Sequence, residues 1–167
     1  MRVLGIDCGS EITGYGVVEL ARDEQLSFVA AGAIRLVSRK PLPERLAEVF
    51  GAICKVIERH EPSVVAIEDV FYAANAKSAL KLGHVRGVAM LAAAQMQIPV
   101  AEYAPLAIKS AVVGYGRAEK IQVQQMVARL LRLGAPPEPA DVADALAIAI
   151  CHLHTAGTLA RQRAASS

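Results

Sequence analysis

The chain is poor in cysteine, carries little net charge and has no long apolar run. Its three cysteines, Cys8, Cys54 and Cys151, are odd in number and irregularly spaced. That excludes a disulfide framework, and the paired spacing of a zinc site is missing. A reduced, cytoplasmic protein is expected. No apolar stretch is long enough to span a bilayer, so no membrane partner is expected. The N-terminus opens directly on an apolar strand pattern, without the layout of a signal peptide. A net charge of +2 permits nucleic-acid binding but does not argue for it; a local basic patch would have to do so.

What is present suits one folded unit. A chain of 167 residues, 54% hydrophobic, can build a core without disulfides or structural metal. A charged fraction of 20% argues against disorder. We expect a single domain over residues 1–155 and a flexible tail over 156–167, where Ala, Ser and Arg follow Gly157.

Val3, Leu4 and Ile6 form a short apolar strand ending at Asp7. Thr13 to Leu20 and Ser27 to Leu36 read as further strands, with a polar turn between them. Short connections predict an antiparallel meander. Leu46, Val49, Phe50, Ile53 and Ile57 have helical spacing, with Pro43 in the first turn. Val64 to Ile67 make a buried strand running into Glu68. Helical patterns follow from Ala76 to Gln97, from Pro105 to near Gly114, from about Val123 to Gly134, and from near Asp141; Val100 to Tyr103 predict a fifth strand. The sum is an α/β fold, a mixed five-stranded sheet flanked by helices.

Within this pattern the carboxylates of Asp7, Glu68, Asp141 and Asp144 sit where solvation alone does not explain them. Two end apolar strands. Two lie three apart at the start of an apolar helix and share one side of it. Strand ends commonly meet at one sheet edge, and a helix packed there could bring its acids to the same place. So many carboxylates together repel unless a counterion joins them. Hard oxygen ligands suit Mg²⁺ or Mn²⁺, and two such ions would serve phosphodiester hydrolysis. Each acid also has a plainer explanation. Asp141 could be an N-cap, Asp144 a partner of the helix dipole, Asp7 a turn residue, and Glu68 half of a surface ion pair. Glu68 and Asp69 face opposite ways in a strand, and spacing alone leaves open which one faces Asp7.

These residues resemble the RuvC family. Leu4-Gly5-Ile6-Asp7 with Gly9-Ser10 and Thr13-Gly14-Tyr15-Gly16 is similar to its first signature. Ala66-Ile67-Glu68 with Val70-Phe71 is similar to the second. Ala76 to Gly87, then Lys109, Gly114 and Ala118-Glu119-Lys120, then Asp141, Ala143 to Ala147 and Cys151-His152 follow in order. The resemblance spans about Met1 to His154. It implies a ribonuclease-H-like fold and a homodimeric endonuclease placing paired, symmetric nicks in four-way (Holliday) DNA junctions. It implies Asp7, Glu68, Asp141 and Asp144 as catalytic ligands of two Mg²⁺ ions, with Mn²⁺ as substitute, and so favours Glu68 over Asp69. Lys109 and Lys120 are implied to contact DNA near the pocket, and Phe71 to face the junction. RuvA and RuvB are the implied protein partners. Cys8 stands where many relatives carry proline; it loosens the turn and adds a thiol able to bind soft metals.

Other features have two explanations. Lys77, Lys81 and His84 form one helical stripe, either solvated or on phosphate; we count Lys77 and Lys81 as DNA contacts. Arg117 adds charge beside the Gly114–Gly116 loop and is counted with them. By pattern alone Lys109 and Lys120 are surface lysines, and Phe71 a core aromatic. Gly83 and Gly87 permit close helix approach; packing on the sheet is preferred to self-association. His152 and His154 read as ordinary helix-end residues. The rivals are a sugar-kinase or actin-like ATPase domain, a non-catalytic junction binder, and a nuclease of the same fold acting on RNA–DNA hybrids.

Overall fold

The computed structural model describes residues 1–69 and 76–165, with side chains through residue 158. The strands are β1 (Arg2–Asp7), β2 (Ile12–Leu20), β3 (Leu26–Arg35), β4 (Val64–Glu68) and β5 (Val100–Tyr103). The helices are α1 (Leu42–His60), α2 (Ala76–Gln95), α3 (Pro105–Val113), α4 (Lys120–Leu130) and α5 (Ala140–Ala165). The sheet has five strands in the order β3-β2-β1-β4-β5. β1, β2 and β3 form the expected antiparallel meander, while β4 pairs parallel to β1 and β5 parallel to β4. The parallel strands β1, β4 and β5 therefore end along one edge, at Asp7, Glu68 and Tyr103.

Both faces of the sheet are covered, which is why β1 and β4 are apolar at nearly every position. Val3, Val18 and Ala66 face α3, α4 and α5. Leu4, Ile6, Val17, Val65 and Ile67 face α1 and α2. The alternation follows the two-residue period of a strand. Each fully buried branched side chain, such as Leu146 or Ile53, contributes about 1.5–3 kcal/mol.

The central helix is α5. It is buried at every residue from Ala145 through Cys151, as expected of a helix that is apolar all round. It packs on β1 and β2 at glycines. A β-carbon at Gly5 would lie 2.0 Å from the Ala145 carbonyl oxygen, and one at Gly14 would lie 2.0 Å from that of Asp141. Only a residue without a side chain admits a helix backbone this close, and the approach carries Asp141 and Asp144 toward the edge where Asp7 ends.

Two helix ends differ from expectation. α4 stops at Leu130, before Gly134, because Arg132 takes a left-handed φ of 55°. Leu133 N–H then closes on the Ala128 carbonyl at 2.8 Å, a Schellman-type end without glycine. α5 continues to Ala165, past the expected boundary at residue 155. Alanine favours the helical state there. Thr155 and Thr158 hydroxyls bond back to the Cys151 and His154 carbonyls, at 2.8 and 2.9 Å. Among the described residues, no helix is long and apolar enough to cross a membrane.

Candidate catalytic site

Asp7 from β1, Glu68 from β4 and Asp144 from α5 line one open cleft of about 250 Å³. Lys109 of α3 and Lys120 of α4 complete its polar wall, over an apolar floor of Ile108, Val123 and Ile148. Asp141 lies nearly one turn earlier on α5. It is not among the lining residues, but its charge reaches Asp7.

The charge in this cleft is poorly balanced. The Asp7 carboxyl is raised from 3.8 to about 7, first by burial, then by Asp144, Glu68 and Asp141; Lys120 offsets only part of this. Glu68 is also raised, by burial and then by Asp144, against the pull of Lys120 and Lys109. The Lys120 ammonium lies 2.6 Å from Asp144 Oδ2, and that hydrogen bond raises its own pKa.

A hard, all-oxygen donor set with surplus negative charge fits Mg²⁺ or Mn²⁺. The set is not closed: among the described residues, no three His, Cys, Asp or Glu side chains stand close enough to share one ion. Lys120 instead pairs with Asp144.

The structure resolves several alternatives. Glu68 lines the cleft, whereas Asp69 pairs with Arg86 at 3.4 Å. Asp141 is the second residue of α5 and lies within its first turn, so the N-cap explanation fails. Cys8 is 8% exposed, and its thiol is pushed up to about 12 by burial and then by Asp7. Lys77 and Lys81 are exposed on α2, Arg117 is exposed between α3 and α4, and none of them lines the cleft. Phe71 lies outside the described residues.

The preference for packing Gly83 and Gly87 on the sheet is overturned. Both are exposed, and a β-carbon at either would meet nothing within 4 Å. The sheet-facing side of α2 is instead Val85, Ala89, Ala92 and Ala93. His152 and His154 are not helix-end residues, since α5 runs beyond them. His152 Nδ1 is 2.8 Å from the Tyr103 hydroxyl at the end of β5, and His154 Nδ1 is 2.8 Å from the Ala111 carbonyl. Sequence reading also passed over Arg86, whose signal was its position as a long cation in a helix segment of small and apolar residues.

A mixed sheet of this order, with acids ending β1 and β4 and facing α5, is the arrangement of ribonuclease-H-like nucleases. Residues 3–152 match the family described as Crossover junction endodeoxyribonuclease RuvC, and the chain belongs to that family. It is 68% identical to the protein of that description from Koribacter versatilis, over 98% of this chain and 99% of the relative. It is 58% identical to the one from Acidobacterium capsulatum, over 98% and 99%. The Thermus thermophilus RuvC structure is similar at a TM-score of 0.87 and 32% identity, covering 95% of this chain and 96% of that one. The T. thermophilus RuvC in complex with Holliday junction substrate is similar at a TM-score of 0.87 and 30% identity, with the same coverage. Membership over this span displaces the sugar-kinase or actin-like ATPase alternative.

Proposed function

We propose that this chain resolves four-way DNA junctions by metal-dependent hydrolysis of phosphodiester bonds, placing paired, symmetric nicks. The observation that carries this is the cleft itself, which gathers Asp7, Glu68 and Asp144 beside Lys109 and Lys120, with Asp141 near enough for its charge to help raise the Asp7 carboxyl. Such a site is costly until a cation enters it. Support for the substrate comes from the similar T. thermophilus RuvC in complex with Holliday junction substrate. Asp7, Glu68, Asp141 and Asp144 would hold two Mg²⁺ or Mn²⁺ ions. Bound there, the ions would activate water and stabilise the leaving oxygen.

The chain's own residues supply the rest. Lys109 and Lys120 hold the scissile phosphate, Lys120 by exchanging Asp144 for a phosphate oxygen. Lys77, Lys81 and Arg117 anchor the backbone of the DNA arms. Phe71 faces the junction and stacks on an opened base, a role supported by the resemblance alone. Two symmetric nicks need two sites, hence a homodimer. Leu80, Gly83, Gly87 and Leu91 of α2 form one stripe, with Leu80 65% and Leu91 55% exposed, and this is the face assigned to it. RuvA and RuvB are the partners, and the cytoplasm the compartment.

The deciding experiment compares cleavage of a synthetic four-way junction, linear duplex and RNA–DNA hybrid, with and without Mg²⁺. Junction-selective, Mg²⁺-dependent nicking is expected. Asp7→Asn, Glu68→Gln, Asp141→Asn and Asp144→Asn should each cripple cutting and spare junction binding, because each removes a ligand and also a repulsion of phosphate. Full cutting by any two of these variants sinks the metal site. Preference for the hybrid sinks the substrate.

A further inference from the structure

Arg86 lies on α2 with its side chain 21% exposed, and its guanidinium reaches acceptors on two strands. Nε donates to the backbone carbonyl of Glu68 at 3.3 Å, and Nη2 donates to Asp69 Oδ1 at 3.4 Å. Nη2 also pairs with Glu102 on β5. The ladder between β1 and β4 has its last pair at Ile6 and Ile67, so Glu68 stands one residue beyond it. On the β5 side, the Asp69 N–H donates to the Tyr103 carbonyl at 2.8 Å. The end of β4 is thus fixed by β5 through the Asp69 amide and by α2 through Arg86.

We propose that Arg86 is a positioning residue. It holds the Glu68 peptide so that the Glu68 carboxylate stays in the cleft, and it keeps the neighbouring Asp69 carboxylate paired outside it. The inference rests on Glu68 being a metal ligand. A guanidinium suits the task because its donors are fixed in a planar fork that can serve several acceptors at once; a lysine ammonium offers only a point charge. Because α2 carries Arg86, the seating of that helix also sets the placement of Glu68.

The test is Mn²⁺ binding to the full chain without DNA, followed by calorimetry or electron paramagnetic resonance, with thermal melting and metal-free junction binding measured alongside. Partners behind a ligand typically govern tenfold or more in metal affinity, so Arg86→Gln should weaken Mn²⁺ binding about tenfold. Metal-free junction affinity should hold. Arg86→Lys should recover only part of the loss. Glu102→Gln, a change at a position 43% exposed, should weaken Mn²⁺ in the same direction by less, and it decides the matter if Arg86→Gln fails to fold. Unchanged Mn²⁺ affinity in the folded Arg86 variant, or in Glu102→Gln when it stands alone, overturns the proposal. Complete recovery with lysine also overturns it, since charge alone would then suffice. Wild-type affinity in Arg86→Gln with impaired Glu68→Gln brings down this inference by itself. Equal binding by wild type and Glu68→Gln brings down the metal site and this inference together.

Discussion

Gly14 lies directly under the peptide of Asp141: a β-carbon on the glycine would stand 2.0 Å from the Asp141 carbonyl oxygen and 2.4 Å from its carbonyl carbon. Gly14 is also the cross-strand partner of Asp7. One glycine therefore sets how near the first turn of α5 comes to the end of β1. The spacing of the acids depends on a residue that bears no chemistry.

Gly14→Ala should force α5 away, since the obstacle is backbone and has no rotamer to yield. Overpacking of this kind costs about 1–3 kcal/mol. A shift of about 1 Å at a reacting centre can cost about a hundredfold in rate. Melting and single-turnover cleavage should both fall, with junction binding retained. Gly51→Ala, within α1 and with no atom within 4 Å of the added carbon, is the control; helix preference should raise its stability by about 0.5–1 kcal/mol and cleavage should hold. A Gly14→Ala variant cutting at the wild-type rate would show that the acids tolerate displacement.

The raised Asp7 pKa makes stability depend on pH with a defined sign. Between the ordinary carboxylate value of 3.8 and about 7, the folded protein keeps a proton that the unfolded chain has lost. Stability without metal therefore falls as pH rises through that window, and the loss is complete above about pH 7. Melting in chelator should be lower at about pH 8 than at about pH 5. Mg²⁺ should restore it at the higher pH and do little at the lower. Asp7→Asn should flatten both responses. A wild-type melting curve as insensitive to pH and Mg²⁺ as that of Asp7→Asn would contradict the electrostatic account.

Lys109 and Lys120 should separate catalysis from binding. Lys109 lowers the Glu68 pKa and Lys120 lies 2.6 Å from Asp144, so both stand where the scissile phosphate would sit. Many other phosphate contacts remain when either is lost. Alanine at each position should reduce single-turnover cutting much more than junction affinity, and the salt dependence of binding should change little. An unchanged rate on bound junction, with affinity lost across all DNAs, would make them simple anchors.

The α2 stripe should control self-association. Leu80→Asp with Leu91→Asp places charge on two exposed apolar positions and should shift sedimentation from dimer to monomer, leaving the fold intact. Gly87→Leu should weaken the dimer by blocking close approach. Paired nicking should become uncoupled in both. A dimer that survives both changes uses another face of the molecule.

The sequence by itself determined the element order, the meander, and the choice of Asp7, Glu68, Asp141 and Asp144 as the residues to watch. These are local properties. A strand buried on both faces must be apolar throughout, so an acid at its end stands out. The last helix is apolar all round, so Asp141 and Asp144 stand out in the same way. The terminus of α4 was less legible, because Arg132 adopts a backbone conformation that sequence reading assigns to glycine.

Only the tertiary structure decided which of Glu68 and Asp69 faces the cleft. Strand alternation puts them on opposite sides, but it takes the position of Arg86 to show which side is which. The fold also decided that Gly83 and Gly87 look outward, where small residues on a helix had suggested packing inward. It decided that Gly5 and Gly14, unremarkable in a strand pattern, are the contacts that let α5 reach β1. Each of these facts concerns residues far apart in the chain, brought together by the closure of the sheet against α2 and α5. No periodicity along one segment contains that distance.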